Sequence, residues 1–184
     1  MSKMVYLARA EGAPSATTIN RIGGSPIGIA PASWPKFKNK PMTHLITVDL
    51  KTVPLGYRPA NRAISVFCAN PDGNHASDPA TRETKVILIP PKDIPRGETA
   101  PPKNAPVLEP AKLIVQKKAW RKDCYFGGDP AWLQGEPACF EPGGEDPPYS
   151  FIFVMQFSEH LVPMNLGDAG VMYVCTNGAF WQCC

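Results

Sequence analysis

Two Gly-Gly-x-Pro tetrads constrain this chain more than any other feature. Gly23-Gly-Ser-Pro26 and Gly127-Gly-Asp-Pro130 begin 104 residues apart, and similar apolar segments follow each of them. The later segments 64–70 and 171–177 also match, with a cysteine and an asparagine in register. Repetition at a constant offset is typical of a duplicated structural unit. The sequence therefore predicts two halves of similar structure that superpose through a pseudo-twofold axis.

Proline decides which elements these halves can contain. The chain has 22 prolines among 184 residues, and seven of them lie between 90 and 110. Proline breaks helix interiors and central strands, so long helices are excluded and short strands between rigid loops are favoured. We predict an α+β fold with predominantly antiparallel strands, in which repeat half 1–89 and repeat half 111–184 form one domain. The segment 90–110, called the strap below, joins the halves as a semi-rigid connection.

Charge is distributed unevenly along the chain. Residues 1–123 carry all 19 Lys and Arg, whereas residues 124–184 carry none and hold seven Asp and Glu. Packing of the two halves predicts that most of these charges neutralise each other, including those of Asp129, Glu159 and Asp168. The loop 135–148 is predicted to expose its carboxylates as an acidic recognition face. That acidic loop consists of Glu136, Glu141, Glu145 and Asp146.

The N-terminal residues lack the apolar core of a signal peptide, and no apolar stretch approaches the length of a membrane span. A cytoplasmic protein without membrane contact is therefore expected, as a monomer or weak dimer. In that compartment the six cysteines are predicted to be reduced thiols. They include no Cys-x-x-Cys pair, so we expect no metal and no cofactor.

The ordered succession of motifs resembles the YwqG-like family, a bacterial domain family of unknown function. The resemblance extends over residues 19–184 and implies a strand-dominated, internally duplicated fold, but no activity, substrate or cofactor. Members of that family usually carry Gln-x-Asp in the strand after each tetrad, whereas this chain has 47–49 Thr-Val-Asp and 156–158 Gln-Phe-Ser. The motifs that carry the resemblance are Ile22–Pro26, Trp34-Pro35, Lys40–Met42, Phe126–Gln134, Gly167–Val174 and Phe180–Cys184.

Catalytic patterns are weak in this sequence. Neither tetrad is followed by the Lys-Ser/Thr of a phosphate-binding loop, so both are interpreted as tight turns. A Cys175–His160 pair is conceivable, but a cysteine in an apolar strand is usually inert. Lysines beside Trp34 and Trp120 are typical of nucleic-acid binding, yet the acidic final third argues against such a partner.

The leading hypothesis is a non-enzymatic module that binds a protein or peptide in a groove between the two halves, and an immunity-type protein is one form of such a module. Tryptophans in proline-rich loops anchor those loops or line a recognition groove. The alternative is a small hydrolase or transferase with Asp49, Gln156 and Asp168 as a polar site between the repeats. An enzyme would require those groups to converge in one pocket. The predicted groove residues are Trp34, Asp49, Trp132, Gln134, Gln156 and Asp168.

Overall fold

A computed structural model gives the fold of the chain and describes residues 4–53, 60–72, 82–135, 153–176 and 178–183. Twelve short strands make up most of it. The strands are β1 (Val5–Ala10), β2 (Arg21–Ile22), β3 (Lys36–Phe37), β4 (Lys40–Pro41), β5 (Thr43–Asp49), β6 (Ala63–Cys68), β7 (Thr84–Ile89), β8 (Ala111–Gln116), β9 (Tyr125–Phe126), β10 (Phe153–Ser158), β11 (Val171–Cys175) and β12 (Gly178–Gln182).

The prediction of an α+β fold is wrong, because the protein is nearly all β. Among the described residues the helical segments are two short 3-10 turns, Pro31–Ser33 and Pro91–Arg96. Both begin at or beside a proline, which suits the first turn of a helix but not its interior. The prolines that exclude long helices therefore exclude a helical layer as well. In the same part of the chain, no helix reaches the length and hydrophobicity that crossing a membrane requires.

Ten of the strands form one antiparallel sheet in the order β12-β11-β10-β9-β1-β8-β2-β5-β6-β7. Exchanging each strand for its counterpart in the other half gives the same order read from the opposite edge; the counterparts are β1 and β8, β2 and β9, β5 and β10, β6 and β11, and β7 and β12. The first strand of each half pairs with the tetrad strand of the other, so β1 lies beside β9 and β8 beside β2. Strands of the two halves therefore alternate at the centre of the sheet, in the order β9-β1-β8-β2. The duplication itself stays a prediction.

The sheet curls until its two edge strands meet and nearly closes. The hydroxyl of Thr84 on β7 donates to the carbonyl oxygen of Ala179 on β12, and the Ala179 amide donates back to that hydroxyl over 3.1 Å. A side chain thus takes the place of a backbone ladder at this seam. Closure matters because an open edge strand presents unpaired backbone groups to other chains.

The largest core cluster fills the inside of the curled sheet, with β1 contributing Val5 and Leu7 and β12 contributing Trp181. Two smaller clusters lie on the outside, where proline-rich loops cover the sheet. Trp34 packs with Phe67 under the first loop, and Trp132 packs under the second. Strands β5, β6 and β11 are consequently buried on both faces, which explains their continuous apolar runs.

Charge neutralisation between the halves is not observed where the chain is described. The four ion pairs there all join residues within the range 21–123. Asp129, Glu159 and Asp168 are exposed and belong to none of them. The predicted acidic loop, Glu136, Glu141, Glu145 and Asp146, lies outside the described residues.

Candidate functional site: a cleft between the first tetrad and the strap

A cleft of roughly 490 Å³ opens on the outer surface of the first half, where the strap passes the first tetrad. Its floor is the turn after β2, and its walls are the loop before β2 and the strap. Four of its described lining residues are prolines, and three others carry charge. The lining consists of Ala13, Pro14, Arg21, Gly23, Gly24, Ser25, Glu98, Pro101, Pro102, Lys103, Ala105, Val107 and Pro110.

The first tetrad forms a turn that only glycine fits well. Gly23 and Gly24 have φ values of 60° and 57°, in the left-handed region. A Cβ on Gly23 would lie 2.8 Å from the carbonyl oxygens of Leu108 and Glu109, so the strap approaches the turn as closely as backbone allows. The Gly24 amide donates to the Leu108 carbonyl over 3.0 Å. The glycine pair therefore serves both the turn and the docking of the strap.

Arg21 organises the cleft from below. Its side chain is 1% exposed, and its guanidinium donates to carbonyl oxygens on both sides of the turn: Nε to Thr18 over 2.9 Å, Nη1 to Ser25 over 2.7 Å and Nη2 to Ser15 over 3.0 Å. Nη1 also donates to Oε1 of Glu98 over 2.7 Å. A planar guanidinium suits this task because its five N–H groups point in fixed directions. Arg21 thus connects the turn after β2, the loop before β2 and the strap through hydrogen bonds of one side chain.

The strap is held along its length as well as at its end. The amides of Gly28 and Thr99 donate to the carbonyl oxygens of Gly97 and Pro26, over 3.0 Å and 2.9 Å. The Thr99 hydroxyl donates to the Ile29 carbonyl, and Thr99 is buried. These contacts join the strap to the tetrad loop as a short antiparallel bridge. The cleft is consequently formed before any ligand arrives.

A buried histidine lies directly behind the tetrad. Nδ1 of His44 is 2.9 Å from the Gly23 carbonyl oxygen, which can only accept, so the proton resides on Nδ1. Nε2 therefore accepts from the Thr47 hydroxyl over 2.8 Å, and Ser65 in turn donates to Thr47 over 2.6 Å. Burial, assisted by the nearby positive charge of Arg21, lowers the pKa of His44 to about 4. The ring is a neutral structural link rather than a base facing the cleft.

The second tetrad has the same backbone form but a different environment. Gly127 and Gly128 both have φ of 76°, and the Gly127 amide donates to the Val154 carbonyl as Gly23 does to that of Leu45. A Cβ on Gly128 would meet Met4 at 3.5 Å, an ordinary contact. The tight approach that builds the first cleft is therefore absent around Gly128.

In the second half Tyr125 takes the place of Arg21, and Gln156 takes the place of Thr47. The Tyr125 hydroxyl donates to Oε1 of Gln156 over 2.7 Å, and the Ala131 amide donates to the same oxygen over 2.9 Å. Gln156 is 1% exposed and lies under the loop that Trp132 anchors. Burial raises the pKa of Tyr125. These groups hold the loop to the sheet.

Both tryptophans of the predicted groove serve as anchors. Trp34 is 4% exposed, its Nε1 donates to the Met42 carbonyl over 2.8 Å, and its ring meets Phe67 edge-on. Trp132 is half-buried, with its ring centroid 4.7 Å from that of Tyr173. They lie in two separate clusters on opposite halves of the sheet. Each tryptophan fixes a loop that packs over the outer face of the sheet. Neither ring is among the residues that line the cleft.

The predicted polar groove residues also fail to come together. Asp49 at the end of β5 binds Arg62 through both oxygens, at 2.7 Å and 2.6 Å. Gln134 is exposed and donates to the Cys183 carbonyl, and Asp168 is exposed in the turn before β11. Four strands separate the strand of Asp49 from that of Gln156. At ~4.8 Å per strand these groups lie on different sides of the curled sheet.

Cysteine and metal chemistry receives no support from the described residues. Cys68, Cys124 and Cys175 are buried thiols, Cys183 is half-buried, and Cys139 and Cys184 lie outside the described residues. Burial raises the pKa of Cys68 to about 11, which opposes formation of the reactive thiolate. His160 is exposed whereas Cys175 is buried in β11. No cluster of three metal-ligating side chains occurs in the described part of the chain.

The sequence did not point to the strap cleft, although it contains one hint of it. A Gly-Gly pair 66 residues before a run of prolines gives no sign that the two segments touch. Arg21 was the available signal: it directly precedes a buried apolar residue and the tetrad, where a charge needs partners. The chain matches no protein-family model and no curated protein. The resemblance to the YwqG-like family stays a prediction.

Proposed function

We propose that this protein is a non-enzymatic binding module that holds a short peptide or protein segment in the strap cleft. The observation that carries the proposal is a preformed concavity of roughly 490 Å³, a size typical of ligand sites. Pro14, Pro101, Pro102 and Pro110 make its walls rigid. A rigid wall loses little conformational entropy on binding, so more of the contact energy appears as affinity.

The side chains at the cleft favour a ligand of mixed character. Val107 is 57% exposed and offers apolar surface, and Ala105 lies beside it in the same wall. Glu98 and Lys103 provide one charge of each sign. An extended segment with an apolar side chain and a nearby charged group matches this combination. A partner binding through one short segment is consistent with a monomeric module.

The lining opposes a catalytic role. Among the described lining residues Ser25 carries the one hydroxyl, and none is a cysteine or histidine. A serine nucleophile requires a base within hydrogen-bond reach. His44 has both ring nitrogens engaged behind the turn. Asp49 and Gln156, which the hydrolase or transferase alternative requires in one pocket, belong to strands with four others between them.

A random peptide library displayed on phage tests the proposal. Peptides enriched on the wild-type chain are synthesised, and their affinities are measured for Val107→Asp and Ala105→Arg, which alter the cleft wall. Leu133→Asp is the matched control, because Leu133 is 41% exposed on the other half. We expect each cleft variant to weaken binding at least tenfold and the control to retain it. Equal affinity of all three variants, or no enrichment, would refute the proposal.

A further inference from the structure

Trp120 differs from the other tryptophans of the chain. Trp34 and Trp181 are 4% and 2% exposed, and Trp132 is packed against Tyr173. Trp120 is 45% exposed in the loop between β8 and β9. Leaving much of an indole in water forfeits the burial that stabilises the other three. A half-open ring on a loop is a surface available for stacking.

Four cationic residues flank Trp120 in the sequence. They lie within residues 117–122, which are called the basic loop below. Lys117, Lys118, Arg121 and Lys122 are all exposed. Nε of Arg121 is 3.1 Å from Oδ1 of Asp123. None of the three lysines forms an ion pair with any described residue. Their charges are thus available to an anionic partner.

The outer face of β8 continues this surface. Lys112, Ile114 and Gln116 alternate along the strand and share one face, because side chains of a strand point to the two faces in turn. Lys112 and Ile114 are exposed, so neither loop that covers the outside of the sheet reaches them. This face of β8 ends at Gln116, directly before the basic loop in the chain, and adds further charge and apolar area there.

We propose that the basic loop binds single-stranded nucleic acid. A base stacks on the open face of Trp120, and Lys117, Lys118 and Lys122 contact the neighbouring phosphates, the combination typical of single-strand binding surfaces. A duplex would not offer a free base to the ring. The proposal does not depend on the strap cleft.

Two observations favour this partner over the alternatives. More than half of the Trp120 residue is covered by protein, so it offers a partly open ring for stacking rather than a side chain that inserts deeply into a lipid surface. The sequence argument against nucleic acid was the acidic final third of the chain. Its described carboxylates, Asp129, Glu159 and Asp168, form no ion pair with the basic loop.

The basic tryptophan patch at Trp34, also present in the sequence, does not offer the same surface. Its ring is buried against Phe67, and Nζ of Lys38 lies over the Phe37 ring at 5.0 Å. Both aromatic groups are thus already in contact with the protein. Exposure of the ring distinguishes the basic loop from this patch.

The test uses a fluorescein-labelled ten-nucleotide oligothymidine and the full chain, with affinity measured by fluorescence anisotropy. For three to four phosphate contacts, raising the salt from about 50 to 200 mM should weaken binding by roughly 20- to 50-fold. Loss of one base stack in Trp120→Ala should weaken it by roughly 5- to 100-fold, and Trp120→Phe should retain most of the affinity. The double variant Lys117→Glu/Lys118→Glu should weaken binding and flatten the salt dependence.

Lys51→Glu/Lys92→Glu is the matched control, because it changes net charge equally at two exposed lysines outside the basic loop. We expect it to bind like the wild type, and all variants should show wild-type thermal unfolding. Three results would overturn the proposal: no binding at 50 mM salt, equal weakening by the control, or binding unaffected by Trp120→Ala. Binding to phosphatidylserine vesicles without oligonucleotide binding would overturn it in favour of a membrane surface.

Discussion

Arg21 and Glu98 form an ion pair across 2.7 Å although 77 residues separate them in the chain. The pair joins the strand before the first tetrad to the strap, and the same guanidinium also holds three backbone carbonyls. The floor and the walls of the cleft therefore depend on one buried charge. Both residues of this pair line the cleft, so the pair links the strand β2 to the strap at the cleft itself.

Replacing Arg21 should be far more damaging than replacing its partner. Arg21→Met keeps apolar volume but removes the charged donor of three carbonyl oxygens and of Glu98, so we expect unfolding free energy to fall by about 3–5 kcal/mol. Glu98→Gln should cost about 1–2 kcal/mol, because Glu98 is 36% exposed and water can compensate. Urea unfolding measures both values. A loss below about 1 kcal/mol for Arg21→Met would contradict the role assigned to the guanidinium.

His44 should make stability depend on pH. Its pKa is about 4 in the folded state and 6.5 in the unfolded state, so the unfolded chain binds the proton more tightly. The contribution of the neutral His44 ring to the unfolding free energy is fully present above pH 6.5. It decreases as pH falls from 6.5 to about 4, by up to about 3 kcal/mol.

His44→Gln should remove that decrease, and His160→Gln, at an exposed histidine, should retain it. The measurement is urea unfolding of the three proteins between pH 7.5 and 4, compared pairwise so that other titrating groups cancel. Identical pH profiles for wild type and His44→Gln would show that the ring does not carry this effect.

The two tetrads should tolerate alanine differently. Gly128→Ala introduces only the strain of a left-handed residue, about 1–2 kcal/mol, because its Cβ would lie 3.5 Å from the nearest atom. Gly23→Ala adds a clash with two backbone oxygens at 2.8 Å, and we expect a further loss of about 2 kcal/mol. Thermal and urea unfolding give both values. Equal losses would mean that the strap can move away from the turn without cost.

Thr84 should contribute to stability through the seam between the edge strands. Thr84→Val preserves shape and strand propensity but leaves the amide and carbonyl of Ala179 without their partner, at a cost of about 1–2 kcal/mol. Hydrogen exchange at the Ala179 amide should accelerate. Thr17→Val, at an exposed threonine, is the control and should change neither quantity. Unchanged exchange in Thr84→Val would show that the seam does not depend on the hydroxyl.

Local chemistry in the sequence determined the strands and turns of this protein. Short apolar and β-branched runs at Thr43–Leu50, Ala63–Ala69 and Lys85–Pro90 predict strands, and β5, β6 and β7 lie there within one residue at each end. The Gly-Gly pairs predicted left-handed turns, and all four glycines adopt them. These features depend on neighbours in the chain, so composition and spacing suffice to recognise them. The error of expecting an α+β fold came from not extending the proline argument to every helix.

Tertiary structure alone decided which segments face each other. Leu108 and Glu109 approach Gly23 because β8 pairs with β2, a pairing between different halves that no local pattern specifies. Trp34 and Trp132 pack against Phe67 of β6 and Tyr173 of β11, whereas Trp120 is open in the loop after β8. Burial and pairing partners arise from the closure of the whole sheet, whereas strand and turn propensity arise from adjacent residues. The sequence therefore indicated many of the strands and turns, whereas the long-range pairing that forms the strap cleft is visible only in the tertiary structure.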